Sequence, residues 1–182
     1  MRKIVLTSAG FDNPIIGKRV KELLSNSISD AKVLFVVSAA VTDSQKRILP
    51  LCKNEIMNLG IKENQIKTYD FDYQMMSDEV IKYDMIYVAG GSTKALLDKM
   101  GKWKNILETF FDNGGLYVGV SAGSIAFCDN YKNGLSYVNA NLKVHQPIGT
   151  LDGDLSTRQV TEIALTDRQA ILVLDNRLEI IS

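Results

Sequence analysis

The chain contains one histidine, two cysteines and three prolines among its 182 residues. A single histidine excludes a multi-histidine metal site, so any histidine-dependent chemistry must use His145. Cys52 and Cys128 lie too far apart for a CxxC pair or a zinc-binding spacing, and they read as two reduced structural thiols. No carboxylate cluster has metal-ligand spacing, so neither a metal nor another cofactor is expected. Neither sign of charge is in excess: 21 Lys and Arg balance 21 Asp and Glu. Without a basic surplus to neutralise phosphates, nucleic acid is not an expected partner. Long hydrophobic runs are also missing. The N-terminal apolar stretch is too short for the core of a signal peptide or for a bilayer span. The expectation is a cytoplasmic protein with no membrane partner.

What is present is the composition of an ordinary folded globule, 46% hydrophobic and 23% charged. That much apolar surface offsets chain entropy and excludes intrinsic disorder. The length suits one domain over residues 1–182.

Apolar runs at 3–7, 32–37, 85–89 and 116–120 read as strands, with a weaker one at 66–70. The second run shows almost no alternation, which suits a strand covered on both faces, and the third is likewise fully apolar. Between them, helical stripes fall at 15–24, from Thr42 or Asp43 to Leu59 with Pro50 as a kink or break, at 77–82, after Ser92 or Thr93, and at 104–113. Residues 170–174 and 178–181 read as a closing hairpin, with Asn176 and Arg177 in its turn. Strands alternating with helices imply a three-layer α/β/α fold with a mostly parallel sheet. Ligands of such sheets bind beyond the carboxyl ends of the strands. Three small polar loops should converge there: Thr7 to Gly10, Gly90 to Thr93, and Ser121 to Ser124.

Gly119-Val120-Ser121-Ala122-Gly123 is a G-x-S-x-G sequence with an apolar strand before it and a helix after it. That context is what a nucleophile elbow requires. The tight turn strains the serine backbone, projects Oγ above the strand end, and aims the Ala122 amide where an oxyanion would form. The following helix end favours negative charge. The plainer reading is a glycine-rich turn that packs tightly and does no chemistry. Gly91, in the turn Gly90-Gly91-Ser92-Thr93, could supply a second amide donor. A phosphate cradle is weaker there, because no G-x-G-x-x-G and no Walker lysine follow. Serine needs a base, and His145 is the default one. A lone histidine is by itself more often of no catalytic importance; the elbow serine reverses that preference. Asp129, Asp152 and Asp154 are candidates for the acid that orients its ring, and Asp129, shortly after the elbow, is the first choice. Trp103, Phe110 and Phe111 read as packing residues. Tyr69, Phe71 and Tyr73 read as a packed sheet face, and Asp70 and Asp72 as solvated loop charges.

Gly90-Gly91-Ser92-Thr93 with Leu96-Leu97, then Gly114-Gly115, then Gly119-Val120-Ser121-Ala122-Gly123-Ser124 together resemble peptidase family S51, which includes dipeptidase E and cyanophycinase. The resemblance spans roughly residues 1–150. It implies a flavodoxin-like architecture shared with class I glutamine amidotransferases, with serine where those enzymes carry cysteine. Carried over by position, Ser121 is the nucleophile, and the amides of Gly91 and Ala122 form the oxyanion hole. Val144-His145 resembles an Asn-Pro-His stretch of the dipeptidase. The later stretch that holds its catalytic histidine would fall near residues 153–158, where this chain has none. Either His145 serves as base on a rearranged loop, or the triad is lost. Aspartyl specificity calls for a cationic pocket, and no basic cluster marks one.

The expected function is a serine peptidase acting on a short peptide through Ser121 and His145. The alternatives are a catalytically degenerate relative that binds a small ligand or partner at the same strand edge, and an esterase or amidase using the same serine.

Overall fold

Why the central strands are uniformly apolar is apparent from the two faces they present. In a computed structural model, which describes residues 2–24, 27–155 and 161–182, every residue of β2 (Val33–Val36), β4 (Met85–Val88) and β5 (Leu116–Val120) is buried, as are all but the first of β1 (Lys3–Thr7). Ile4, Leu6, Leu34, Val36, Ile86, Val88 and Tyr117 point into one core. Val5, Val33, Phe35, Met85, Tyr87 and Val118 point into the other. Side chains alternate between the faces of a strand, so a run apolar at every position must be covered twice.

The covering helices are α1 (Pro14–Leu23) and α3 (Leu49–Asn58) on the second face. On the first lie α4 (Ser77–Val80), α5 (Thr93–Met100), α6 (Lys104–Asp112) and α7 (Ala122–Ile125). Pro50 splits the segment from Thr42 to Leu59. Thr42 caps a one-turn helix, α2 (Asp43–Lys46), and Pro50 starts α3, where its missing N–H costs nothing. Trp103, Phe110 and Phe111 are buried. Trp103 packs on Tyr69 and Phe71, with ring centroids 5.4 and 4.5 Å apart, whereas Tyr73 is exposed. Asp70 and Asp72 are not simply solvated: both bind Lys99 Nζ, at 3.1 and 2.7 Å. Cys52 and Cys128 are free and buried.

The strand order is β3-β2-β4-β5-β1-β9-β10-β7. Here β3 is Ile66–Tyr69, β7 Gly153–Leu155, β9 Ala170–Leu174 and β10 Arg177–Ile181. The first five strands run parallel, as expected. The last three extend the sheet in antiparallel fashion, with Thr7 opposite Ala170. The closing hairpin turns at Asp175 and Asn176, so Arg177 belongs to β10 and not to the turn. A separate parallel pair, β6 (Asn141–Lys143) with β8 (Glu162–Ala164), lies against the first core through Leu142 and Ile163. Among the described residues, no helix is long and apolar enough to cross a membrane.

Candidate active site

Because β4, β5 and β1 are neighbours in the sheet, the loops leaving their carboxyl ends meet. Ser8, Ala9, Gly90, Gly91, Ser121 and His145 line a single cavity of about 570 Å³ there. Ser121 sits at the turn from β5 into α7 with φ 48° and ψ −103°, a backbone conformation an L-residue adopts only at a cost of about 1–3 kcal/mol. Three contacts hold it there. Its N–H donates to the Thr7 carbonyl at 3.0 Å, and its own carbonyl accepts from Ser124 and Ile125. Both motif glycines are required sterically. A Cβ on Gly119 would lie 2.7 Å from the Gly123 carbonyl, and one on Gly123 would lie 2.6 Å from the Val88 carbonyl. The elbow therefore nests directly on the ends of β4 and β5.

The helix after the elbow is short: α7 has four residues. A single turn has almost no macrodipole, so any help to an anion comes from individual amides. Ala122 opens α7 and has no carbonyl four residues back within the helix to bond. Gly91 has φ +147°, and a Cβ there would sit 2.1 Å from the Ala39 carbonyl. Among the described residues, neither the Gly91 nor the Ala122 amide has a backbone acceptor.

His145 lies two residues past β6. Its Nε2 is 3.1 Å from Ser121 Oγ, and its Nδ1 is 2.6 Å from Asp167 Oδ1. A carboxylate can only accept, so Nδ1 carries the ring proton and Nε2 offers its lone pair to the Ser121 hydroxyl. The β6–β8 pair brings base and acid together. Lys143 lies opposite Ala164, and the chains stay bonded beyond the strands, Leu165 N–H to the Lys143 carbonyl and Gln146 N–H to the Leu165 carbonyl.

Asp167 is then fixed from several sides. Ser8 Oγ donates to its Oδ1 at 2.9 Å while accepting the His145 N–H at 2.7 Å. Asn13 Nδ2 bonds the Arg168 carbonyl, and the buried Gln169 accepts the Thr166 N–H and donates to the Thr150 carbonyl. Burial works to raise the Asp167 carboxyl, but the hydrogen bonds from His145 and Ser8 outweigh it and hold it below the ordinary value.

Asp129, the expected acid, is not beside the histidine. It is an exposed turn residue whose N–H bonds the Ala140 carbonyl. Asp152 instead accepts from Gln169 and Ser182, and Asp154 is held by Arg177. The carboxylate on His145 is that of Asp167, and Ser8 joins it; sequence reading missed both. Neither carries a local motif. The signal is one of register: β9 runs against β1, so residues just before Ala170 return to the edge where Ser8 leaves Thr7. Of the stretch 153–158, to which the resemblance assigns a later histidine, residues 156–158 lie outside the described residues. Among the described residues, no group of three or more His, Cys, Asp or Glu side chains could hold a metal ion.

Comparison with known proteins agrees with this architecture. A crystal structure of a protein described as a peptidase E from Listeria monocytogenes EGD-e matches with a TM-score of 0.76 and 21% identity, covering 100% of this chain and 98% of the other. A peptidase from an acI-B1 Actinobacterium matches with a TM-score of 0.65 and 17% identity, covering 100% and 88%. At such identities the likeness shows the fold. An uncharacterized peptidase of Pasteurella multocida (strain Pm70) is 22% identical over 108 residues, 58% of this chain and 52% of that protein, so the match spans about half the length of this curated relative. The model of peptidase family S51 matches residues 4–152, which include the elbow, the Gly91 turn and His145, and the chain belongs to that family.

Proposed function

We propose that this chain is a cytoplasmic serine peptidase that hydrolyses a short peptide, with Ser121 as nucleophile, His145 as general base and Asp167 as the acid that orients it. The observation that carries the reading is the continuous hydrogen-bonded line from Ser121 Oγ through the His145 ring to Asp167, at 3.1 and 2.6 Å. In this reading the Ser121 hydroxyl attacks the scissile carbonyl carbon while its proton passes to His145 Nε2. Asp167 stabilises the resulting imidazolium. The carbonyl oxygen becomes an oxyanion and takes the amides of Gly91 and Ala122. Collapse of the tetrahedral intermediate breaks the C–N bond, and the leaving amine receives the proton from Nε2. Water then repeats the sequence on the acyl-enzyme, with His145 again removing the proton.

The same line speaks against the degenerate reading, which expects a histidine ring far from the serine. The test is covalent labelling with a fluorophosphonate, followed by peptide mapping. Label on Ser121, lost in Ser121→Ala and blocked by acid unfolding, is the expected result. A folded protein that leaves Ser121 unlabelled overturns the proposal. A panel of dipeptides and simple esters then separates a peptidase from an esterase.

A further inference from the structure

The cavity beside Ser121 has a definite charge pattern. Two carboxylates, Asp12 and Glu55, line it, and among the described residues that line it none is Lys or Arg. Ile48 and Leu51, near the start of α3, line the same cavity yet are 54% and 63% exposed, a largely open apolar surface among the described residues.

Glu55 is built into this wall rather than left on the surface. It is half-buried, and the fully buried Tyr87 donates its hydroxyl to Oε2 at 2.8 Å. The loop after β1 closes over the carboxylate at Gly10. A Cβ there would lie 2.3 Å from Oε2, and the φ of +81° independently favours glycine. Among the described residues Glu55 forms no ion pair. Lys18 and Lys21 line a neighbouring cavity on the α1 side of Glu55, and Lys18 pairs with Glu22 instead. Burial pushes the Glu55 carboxyl up against the opposing Tyr87 bond. A half-buried carboxylate with no counter-charge gains when a cation arrives, whereas an acidic side chain would meet like charge.

Resting on the peptidase reading above, we propose that this cavity selects a substrate residue with an aliphatic stem and a cationic head, a lysine or arginine side chain. The stem lies along Ile48 and Leu51, and the head reaches Glu55 and Asp12. The family resemblance alone would suggest the opposite, an aspartyl side chain.

Binding to Ser121→Ala, followed by protein NMR, tests this without relying on turnover. The ligands are Lys-Ala and Ala-Lys, their norleucine counterparts, Asp-Ala, and N-acetylated forms of each. The expected result is at least one lysine peptide binding tenfold or more tighter than its norleucine partner, with the difference kept after acetylation. Glu55→Gln should cut that lysine-to-norleucine ratio about tenfold, and Asp12→Asn, at an exposed position that leaves folding intact, should cut it to a smaller degree. Equal binding of lysine and norleucine, tighter binding of Asp-Ala, or a preference that follows only the α-amine overturns the proposal. Fluorophosphonate labelling of the wild-type protein reports separately on the nucleophile. A labelled Ser121 with no lysine preference sinks this inference alone.

Discussion

Asp167 Oδ1 lies 2.6 Å from His145 Nδ1, and the same oxygen accepts the Ser8 hydroxyl at 2.9 Å. One carboxylate thus ties the loop after β1 to the segments that follow β6 and β8. It also sets the tautomer that leaves Nε2 free for Ser121.

Replacing Asp167 by Asn offers His145 a side chain that can donate as well as accept, and the ring can then adopt the wrong tautomer. Peptidase kcat/KM should fall about 10²–10⁴-fold in Asp167→Asn. Asp129→Asn, at an exposed turn, should stay within about twofold of wild type. Steady-state kinetics on both variants decide the matter, and the reverse ranking would return the role to Asp129.

Ser8 acts through its neighbours. Ser8→Ala removes one bond to Asp167 and leaves the His145 N–H without its acceptor. A loss of about tenfold in kcat is expected. KM should change little, since the altered contacts hold the base and not the substrate. A rise in KM at constant kcat would contradict that role.

The depressed Asp167 carboxyl makes a statement about stability and pH. A group held below its unfolded value of about 3.9 stabilises the fold above that pH, and the stabilisation disappears as pH falls through the folded value. The stability gap between wild type and Asp167→Asn should therefore be the same at about pH 7 and about pH 5 and be smaller at about pH 3, below the unfolded value. Urea unfolding at the three pH values measures it. A gap that survives full acidification would mean the carboxylate charge contributes nothing.

The elbow glycines should be intolerant of a methyl group. Gly119→Ala and Gly123→Ala place Cβ 2.7 and 2.6 Å from backbone carbonyls and should each cost about 1–3 kcal/mol. Gly101, with φ −57° and nothing within 4 Å of an added Cβ, is the control. Gly101→Ala should be stabilising by about 0.4–1 kcal/mol. Denaturant midpoints report all three, and equal effects at the three positions would argue against the tight nesting of the elbow.

Cys52 lines the cavity beside Ser121, yet it should react poorly. Burial first, and then the Glu55 charge, push its thiol up to about 11. Cys128 is displaced upward too, mainly by burial. Near about pH 8 a disulfide-exchange reagent should modify neither thiol quickly in the native protein and both on unfolding. Rapid native labelling of Cys52 would mean that the cavity floor is open to water.

Much of the fold was legible because local signals agreed with it. Runs such as Met85-Ile86-Tyr87-Val88, apolar at every position, have few stable places other than a sheet covered on both faces. Thr42 and Ser92 were among the candidate caps and do cap α2 and α5, and Pro50, read as a kink or break, falls in the first turn of α3. The strand-turn-helix context of Ser121 could also be read, as could convergence of three loops on one edge. Asp167 could not, because an aspartate between two short strands looks like any loop residue until its partners are known.

The sequence by itself determined the layered architecture, the elbow and the identity of the sole histidine, since each depends on neighbours within a few residues. Tertiary structure alone decided which carboxylate faces that histidine, that Ser8 joins it, and that Asp12 and Glu55 line the cavity. The physical reason is pairing register. Thr7 opposite Ala170 and Lys143 opposite Ala164 bring together residues that lie 22 to 159 positions apart in the chain, and no local preference records such distances.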